Sequence, residues 1–301
     1  MAEQFITPEV LPSLKEWFDY NASAGCTMEQ MKETLLESGF VEPEVDRFLA
    51  AQSACWSKGG SGEMFDAEPI GSAGEAVDRF WRRSDILNAF NRVALGERVV
   101  RVLAKSPPHG VYFIPDFLSE EECDALILGA GDRMSPSMVL DETEGADVRT
   151  HSRSSRGTVI SRGSTELASR IESRISRLTA LPASHGEGFQ ILQYGVGGEY
   201  RPHVDYFDPN TVGGARALTH NSQRLVSVII YLSEVEAGGC TAFPELGLAF
   251  SPMKGAALLF PSIGRDGALL ESSLHAGLPV TSGEKWIATK WIRLTPQSMR
   301  R

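Results

Sequence analysis

No run of about 18 apolar residues, the length at which a helix begins to span a bilayer, occurs anywhere in the 301 residues. A charged-then-apolar leader is also missing from the first residues, so the expected location is cytoplasmic, with no membrane partner. Cysteine is scarce. Cys26, Cys55, Cys123 and Cys240 lie far apart with no C-x-x-C spacing, which argues against a disulfide framework and a zinc ribbon and leaves reduced core thiols as the expectation. Low-complexity tracts are lacking, and 42% hydrophobic with 23% charged residues is the usual balance of a globular chain. Basic excess is lacking as well: the net charge is −10, and a nucleic-acid-binding surface is not expected. The acid is unevenly placed. Residues 1–70 hold 13 Asp/Glu against 4 Lys/Arg, nearly the whole of the imbalance. That stretch reads first as a solvated helical surface, and second as a region that steers a basic partner.

Residues 8–54 predict three short helices. Val10, Leu11, Leu14, Trp17 and Phe18 form a stripe after Pro8. Thr27-x-x-Gln30 is a capping-box pattern ahead of Met28, Met31, Leu35 and Leu36, and Gly39 stops that helix. Pro43 starts the third, with Val45, Phe48 and Leu49 inward. Residues 1–56 are therefore expected to be a small helical accessory domain, and the Gly/Ser/Pro-rich stretch 57–74 a linker. Residues 75–301 are the expected main domain, entered by a helix carrying Ala76, Val77, Phe80, Trp81, Ile86, Leu87 and Phe90.

From about residue 98 the pattern changes to strands. Arg98–Ala104 and Val111–Ile114 flank a Pro-Pro turn, Ser119-x-x-Glu122 caps a helix to about 130, and 164–178 fits another. Short apolar strands follow at 188–194, 199–205, 224–232, 240–243, 248–251, 255–260, 269–276, 278–281 and 285–294. Many short strands with Gly/Pro turns predict two stacked sheets. The fold class expected is α+β: a double-stranded β-helix, or jelly roll, backed by helices, with its core at about 98–294. Two long polar stretches, 133–156 and 206–223, read as lids over a site.

The chemistry centres on His203-Val204-Asp205. Side chains at i and i+2 leave the same face of a strand, so this pair can grip one ion, with His275 arriving from another strand. Two imidazoles and one carboxylate leave half of an octahedral Fe(II) open. Lys285 would add a fixed positive charge nearby.

Three blocks carry a family likeness: QYGVGGEYRPHVD (193–205), EAGGCTAFPELG (236–247) and LHAGLPVTSGEKWIATKWI (274–292). In order and spacing they resemble the collagen-type prolyl 4-hydroxylase branch of the Fe(II)/2-oxoglutarate dioxygenases, over about residues 98–294. The resemblance implies that His203, Asp205 and His275 are the catalytic iron ligands and that Lys285 pairs with the distal carboxylate of 2-oxoglutarate. It implies co-substrate contacts for Tyr194, Tyr200 and Thr241, and a wall of the same pocket for Trp291. The implied cofactors are Fe(II), 2-oxoglutarate as co-substrate, O2, and ascorbate as a reductant. The sequence departs from the family pattern at Arg201-Pro202, ahead of the H-x-D triplet. The segment 149–156 matches the family's substrate-side Arg-Thr-Ser stretch only loosely, so Arg149, Arg153 and Arg156 all remain candidates.

The implied activity couples decarboxylation of 2-oxoglutarate to hydroxylation of an unactivated C–H. Halogenating relatives lack the carboxylate ligand, so Asp205 argues for hydroxylation. A prolyl residue of a peptide or protein is the substrate that the resemblance suggests. A free amino acid or small natural product on the same scaffold is the alternative. A non-catalytic peptide-binding jelly roll and a zinc hydrolase rank below both.

Overall fold

The computed structural model describes residues 5–7, 10–23, 26–56, 69–140, 147–148, 153–219 and 221–297. Three N-terminal helices form where the periodicity placed them: α1 (Leu11–Ser23), α2 (Met28–Glu37) and α3 (Glu42–Trp56). The Thr27 hydroxyl accepts from Gln30 N while the Gln30 side chain accepts from Thr27 N, closing the reciprocal cap. Leu14, Trp17, Phe18, Met31, Leu35 and Val45 form a core that continues into Ile86 and Phe90 at the end of α4 (Ala73–Ala89). Trp17 stacks on Phe90 with ring centroids 5.2 Å apart. The other face of α4, through Ala76, Val77, Phe80 and Trp81, packs on the main sheet. Most of the expected linker, at 57–68, falls outside the described residues.

Twelve strands make two antiparallel sheets. They are β1 (Ala104–Ser106), β2 (Val111–Ile114), β3 (Ser135–Pro136), β4 (Arg156–Ile160), β5 (Phe189–Tyr194) and β6 (Tyr200–His203). Then follow β7 (Arg224–Tyr231), β8 (Thr241–Phe243), β9 (Leu248–Phe250), β10 (Ala257–Pro261), β11 (His275–Gly277) and β12 (Lys285–Arg293). The major sheet runs β1-β2-β10-β7-β12-β5-β4-β3 and the minor one β6-β11-β8-β9. This is the helix-backed jelly roll expected. Strand alternation divides the major sheet between two cores. Phe189, Ile191, Val228, Ile230 and Ala288 face α4, α5 (Glu120–Ala130) and α6 (Glu166–Thr179). Leu192, Tyr194, Ile229, Tyr231 and Ile287 face the minor sheet across the interior.

Several expected boundaries move. The strand expected at 98–104 splits: Val99–Arg101 pairs back on Arg92–Ala94, and β1 begins only at Ala104. Within 269–276, Glu271–Ser273 is a 3-10 turn and the strand starts at His275. The strand expected over 199–205 stops at His203, so Asp205 lies in a bend. The two long polar stretches are not plain loops. The first contains β3 and runs into β4, whose sequence RGTVI has too little alternation to announce a strand; the second contains α7 (Val212–Thr219). Residues 141–146 and 149–152 of the first stretch lie outside the described residues.

Candidate active site

His203 and His275 stand directly opposite each other in the β6–β11 pair, with ring centroids 4.3 Å apart. Asp205 reaches the same point from the bend beyond β6. Its Oδ1 lies 3.9 Å from His203 Nε2 and its Oδ2 3.8 Å from His275 Nε2. The donor atoms of all three residues lie within 4.8 Å of one another, a cluster that a small inward movement would gather round one ion at bonds of about 2 Å. The tautomers fit too. His203 Nδ1 is 2.8 Å from the Arg201 carbonyl and His275 Nδ1 2.9 Å from the Ser273 carbonyl. A carbonyl only accepts, so Nδ1 carries the proton and each Nε2 lone pair faces the cluster. Burial, and then the neighbouring His275, push His203 below the ordinary imidazole range, which keeps it neutral as a ligand must be. Burial opposes ionisation of Asp205, but the two imidazoles, Arg224 and the Ser227 hydroxyl together hold its carboxyl below the usual range. Neutral nitrogen, carboxylate and no thiolate is a donor set for Fe(II) with open positions.

Lys285 begins β12, buried, with Nζ 2.6 Å from the Gly239 carbonyl. Among the described residues no carboxylate pairs with it, and burial draws its ammonium down to about 8. Gly238 shapes this contact. It adopts φ +78°, and a Cβ there would lie 2.3 Å from the Pro279 carbonyl, so only glycine lets the chain turn and aim Gly239 at Lys285. The Tyr194 and Tyr231 rings each lie 5.7 Å from Nζ. Tyr231 donates its hydroxyl to Thr241 Oγ1 at 2.8 Å, which leaves the Thr241 proton free to donate in turn. Tyr200 stacks on His203 at 3.5 Å between centroids, and burial lifts its phenol to about 12.

One cavity is lined by all the residues singled out for iron and co-substrate: His203, Asp205, His275, Lys285, Tyr194, Tyr200, Thr241 and Trp291. Leu192, Ile229 and Ile287 supply apolar walls. An outer cleft of about 770 Å³ shares Arg153, Tyr200, His203, Asp205 and Trp291 with it. Among the three candidate arginines, Arg153 lines both spaces, with its guanidinium 4.7 Å over the Tyr200 ring. Arg156 instead donates to the Met134 carbonyl, and Arg149 lies outside the described residues. Sequence reasoning missed Tyr231, Ser227 and Arg224, which contact Thr241, Asp205 and Trp291. The polar Ser227 inside the apolar run of β7 was the available signal.

Comparison with known proteins agrees with this geometry. Residues 189–293 match the 2OG-Fe(II) oxygenase superfamily. The chain is 41% identical over 219 residues to the probable prolyl 4-hydroxylase 10 of Arabidopsis thaliana, covering 66% of this chain and 73% of that one. The chain belongs to the 2OG-Fe(II) oxygenases, in their prolyl 4-hydroxylase-like branch. Prolyl 4-hydroxylase 5 of the same plant is also 41% identical, over 220 residues, with 66% and 72% covered. A viral collagen prolyl hydroxylase from Paramecium Bursaria Chlorella virus-1 is a structural neighbour, 31% identical with a TM-score of 0.49, covering 61% of this chain and 95% of that one. This oxygenase therefore works as a 2-oxoglutarate-dependent dioxygenase, with Fe(II), 2-oxoglutarate and O2.

Proposed function

We propose that the protein hydroxylates a prolyl residue of a peptide or protein, with His203, Asp205 and His275 holding the iron and Lys285 holding 2-oxoglutarate. The observation that carries this reading is that three converging metal donors and a buried ammonium with no carboxylate partner among the described residues share one cavity. When bound, iron supplies the site at which 2-oxoglutarate and oxygen combine, so that decarboxylation is coupled to C–H oxidation. The chain's own work is binding, orientation and exclusion of water. Lys285 supplies the charge for the distal carboxylate, and Thr241, its oxygen already occupied by Tyr231, donates its proton to the same group. Leu192, Ile229 and Ile287 keep that carboxylate away from solvent, where the pairing with Lys285 is stronger.

The substrate half of the reading is supported by the outer cleft. Its size, its opening on His203 and Asp205, and its apolar members Met138, Val159 and Trp291 suit an extended peptide better than one small polar molecule. The names of the curated relatives point the same way. Buried thiols at Cys26 and Cys123 are compatible with a reducing, cytoplasmic setting, which remains part of the proposal. Purified protein given Fe(II), 2-oxoglutarate and oxygen should add one oxygen atom to Pro-containing peptides and release succinate in step. Turnover of free amino acids with every peptide unmodified would reject the substrate assignment, and absence of Fe(II) binding would reject the whole reading.

A further inference from the structure

Asp205 is held differently from the two histidines. They face each other in a paired strand, whereas β6 ends at His203 and Asp205 follows in a bend. Strand pairing therefore does not fix the carboxylate. Two side chains of β7 reach Asp205 instead, one at the carboxylate and one at the main chain. Ser227 Oγ, fully buried, donates to Oδ2 at 2.6 Å, and Arg224 Nη1 donates to the Asp205 main-chain carbonyl at 3.2 Å. Arg224 is itself locked. Glu187 accepts from its Nε at 2.7 Å and its Nη2 at 3.1 Å, and its guanidinium lies 3.7 Å over the Trp291 ring.

Residues three apart on a regular strand point to opposite faces. Arg224 and Ser227 do not, because β7 slips register against β12 between Arg224 and Val226. Leu225 and Val226 both enter the helix-side core there, and the extra residue turns Arg224 to the face of Ser227.

We propose that Arg224 and Ser227 are positioning residues for Asp205, brought to it together by this bulge. Ser227 occupies Oδ2, so that the carboxylate presents Oδ1 as a single oxygen donor, and Arg224 fixes the bend on which Asp205 stands. The proposal rests on Asp205 being an iron ligand. Anaerobic titration of the metal-free 301-residue chain with Fe(II) tests both without any turnover. Ser227→Ala is expected to raise the Fe(II) Kd about 10- to 100-fold, as loss of a partner behind a ligand does, and Ser227→Thr to restore it to within about threefold. Arg224→Lys, which keeps charge but loses the fork, should also weaken Fe(II).

A merely structural role would lower the melting temperature of metal-free Ser227→Ala and leave its Fe(II) Kd unchanged, and that result overturns the proposal. Should Ser227→Ala not fold, Ser227→Cys, a weaker donor of similar size, takes its place, and an unchanged Kd again overturns it. An Asp205→Ala protein that binds Fe(II) as tightly as the unaltered chain would overturn the ligand assignment and this inference together. Tight binding lost only with Asp205, and untouched by Ser227 or Arg224, would overturn this inference alone.

Discussion

Two lysines on one strand, five residues apart, divide the molecule into its structural and its chemical halves. Lys290 and Lys285 are both almost fully buried in β12, but on opposite faces. Lys290 points to the helix side, where Glu172 of α6 accepts from Nζ at 2.5 Å and the Phe189 ring lies 4.4 Å away. Lys285 points between the sheets, donates to the Gly239 carbonyl beside two tyrosine rings, and meets no carboxylate among the described residues. A buried ammonium without a counter-ion is costly unless a ligand supplies one. The difference teaches that on the helix side a buried lysine meets its own counter-charge, while between the sheets one meets no carboxylate of the described residues, the property on which the proposed co-substrate role rests.

The pairing can be broken from either end. Lys290→Ala should cost about 3–5 kcal/mol of stability, because it strands Glu172, with little change in 2-oxoglutarate affinity of the folded protein. Chemical denaturation beside co-substrate titration checks this. Lys285→Ala should show the reverse. About 2–5 kcal/mol of 2-oxoglutarate binding is lost while Fe(II) retention and stability hold, since no carboxylate of the described chain is left unpaired. Equal loss of iron and co-substrate would contradict the role given to Lys285.

A pH series sharpens the contrast. Lys285 falls to about 8 through burial, below its ordinary value of 10.5. Between those values the unfolded chain binds the proton and the folded chain does not, so this group's contribution makes the co-substrate-free protein more stable as pH rises from about 8. A carboxylate needs the protonated form, so 2-oxoglutarate affinity should fall over the same range, by up to about tenfold per unit. Binding that stays flat from pH 7 to about 10 would contradict the value. The smallest effect is expected for Tyr231→Phe. Thr241 loses its fixed orientation, and co-substrate affinity drops by about 0.5–1.5 kcal/mol in the same titration.

Much of the fold was legible because periodicity and caps are local. Thr27 with Gln30, Ser119 with Glu122, and the short apolar run of residues 188–194 each announce their element without reference to the rest of the chain. The candidate site was legible for the same reason at His203 and Asp205, and through family likeness at His275, Lys285 and Thr241. What escaped was set at a distance. Arg224 looks outward by alternation and turns inward only through a bulge against β12. Arg153 could not be chosen over Arg156 until β4 was seen to carry Arg156 toward Met134 and leave Arg153 over Tyr200.

The amino-acid order alone determined most element types and which donor and charged side chains are available to the candidate site, because side-chain identity and short-range spacing decide them. Tertiary structure alone decided which buried lysine meets a carboxylate among the described residues and which oxygen of Asp205 accepts from Ser227. Those properties depend on burial and on partners separated by tens of residues, as Ser227 is from Asp205 and Glu172 from Lys290. Strand pairing places them, and no local pattern records it.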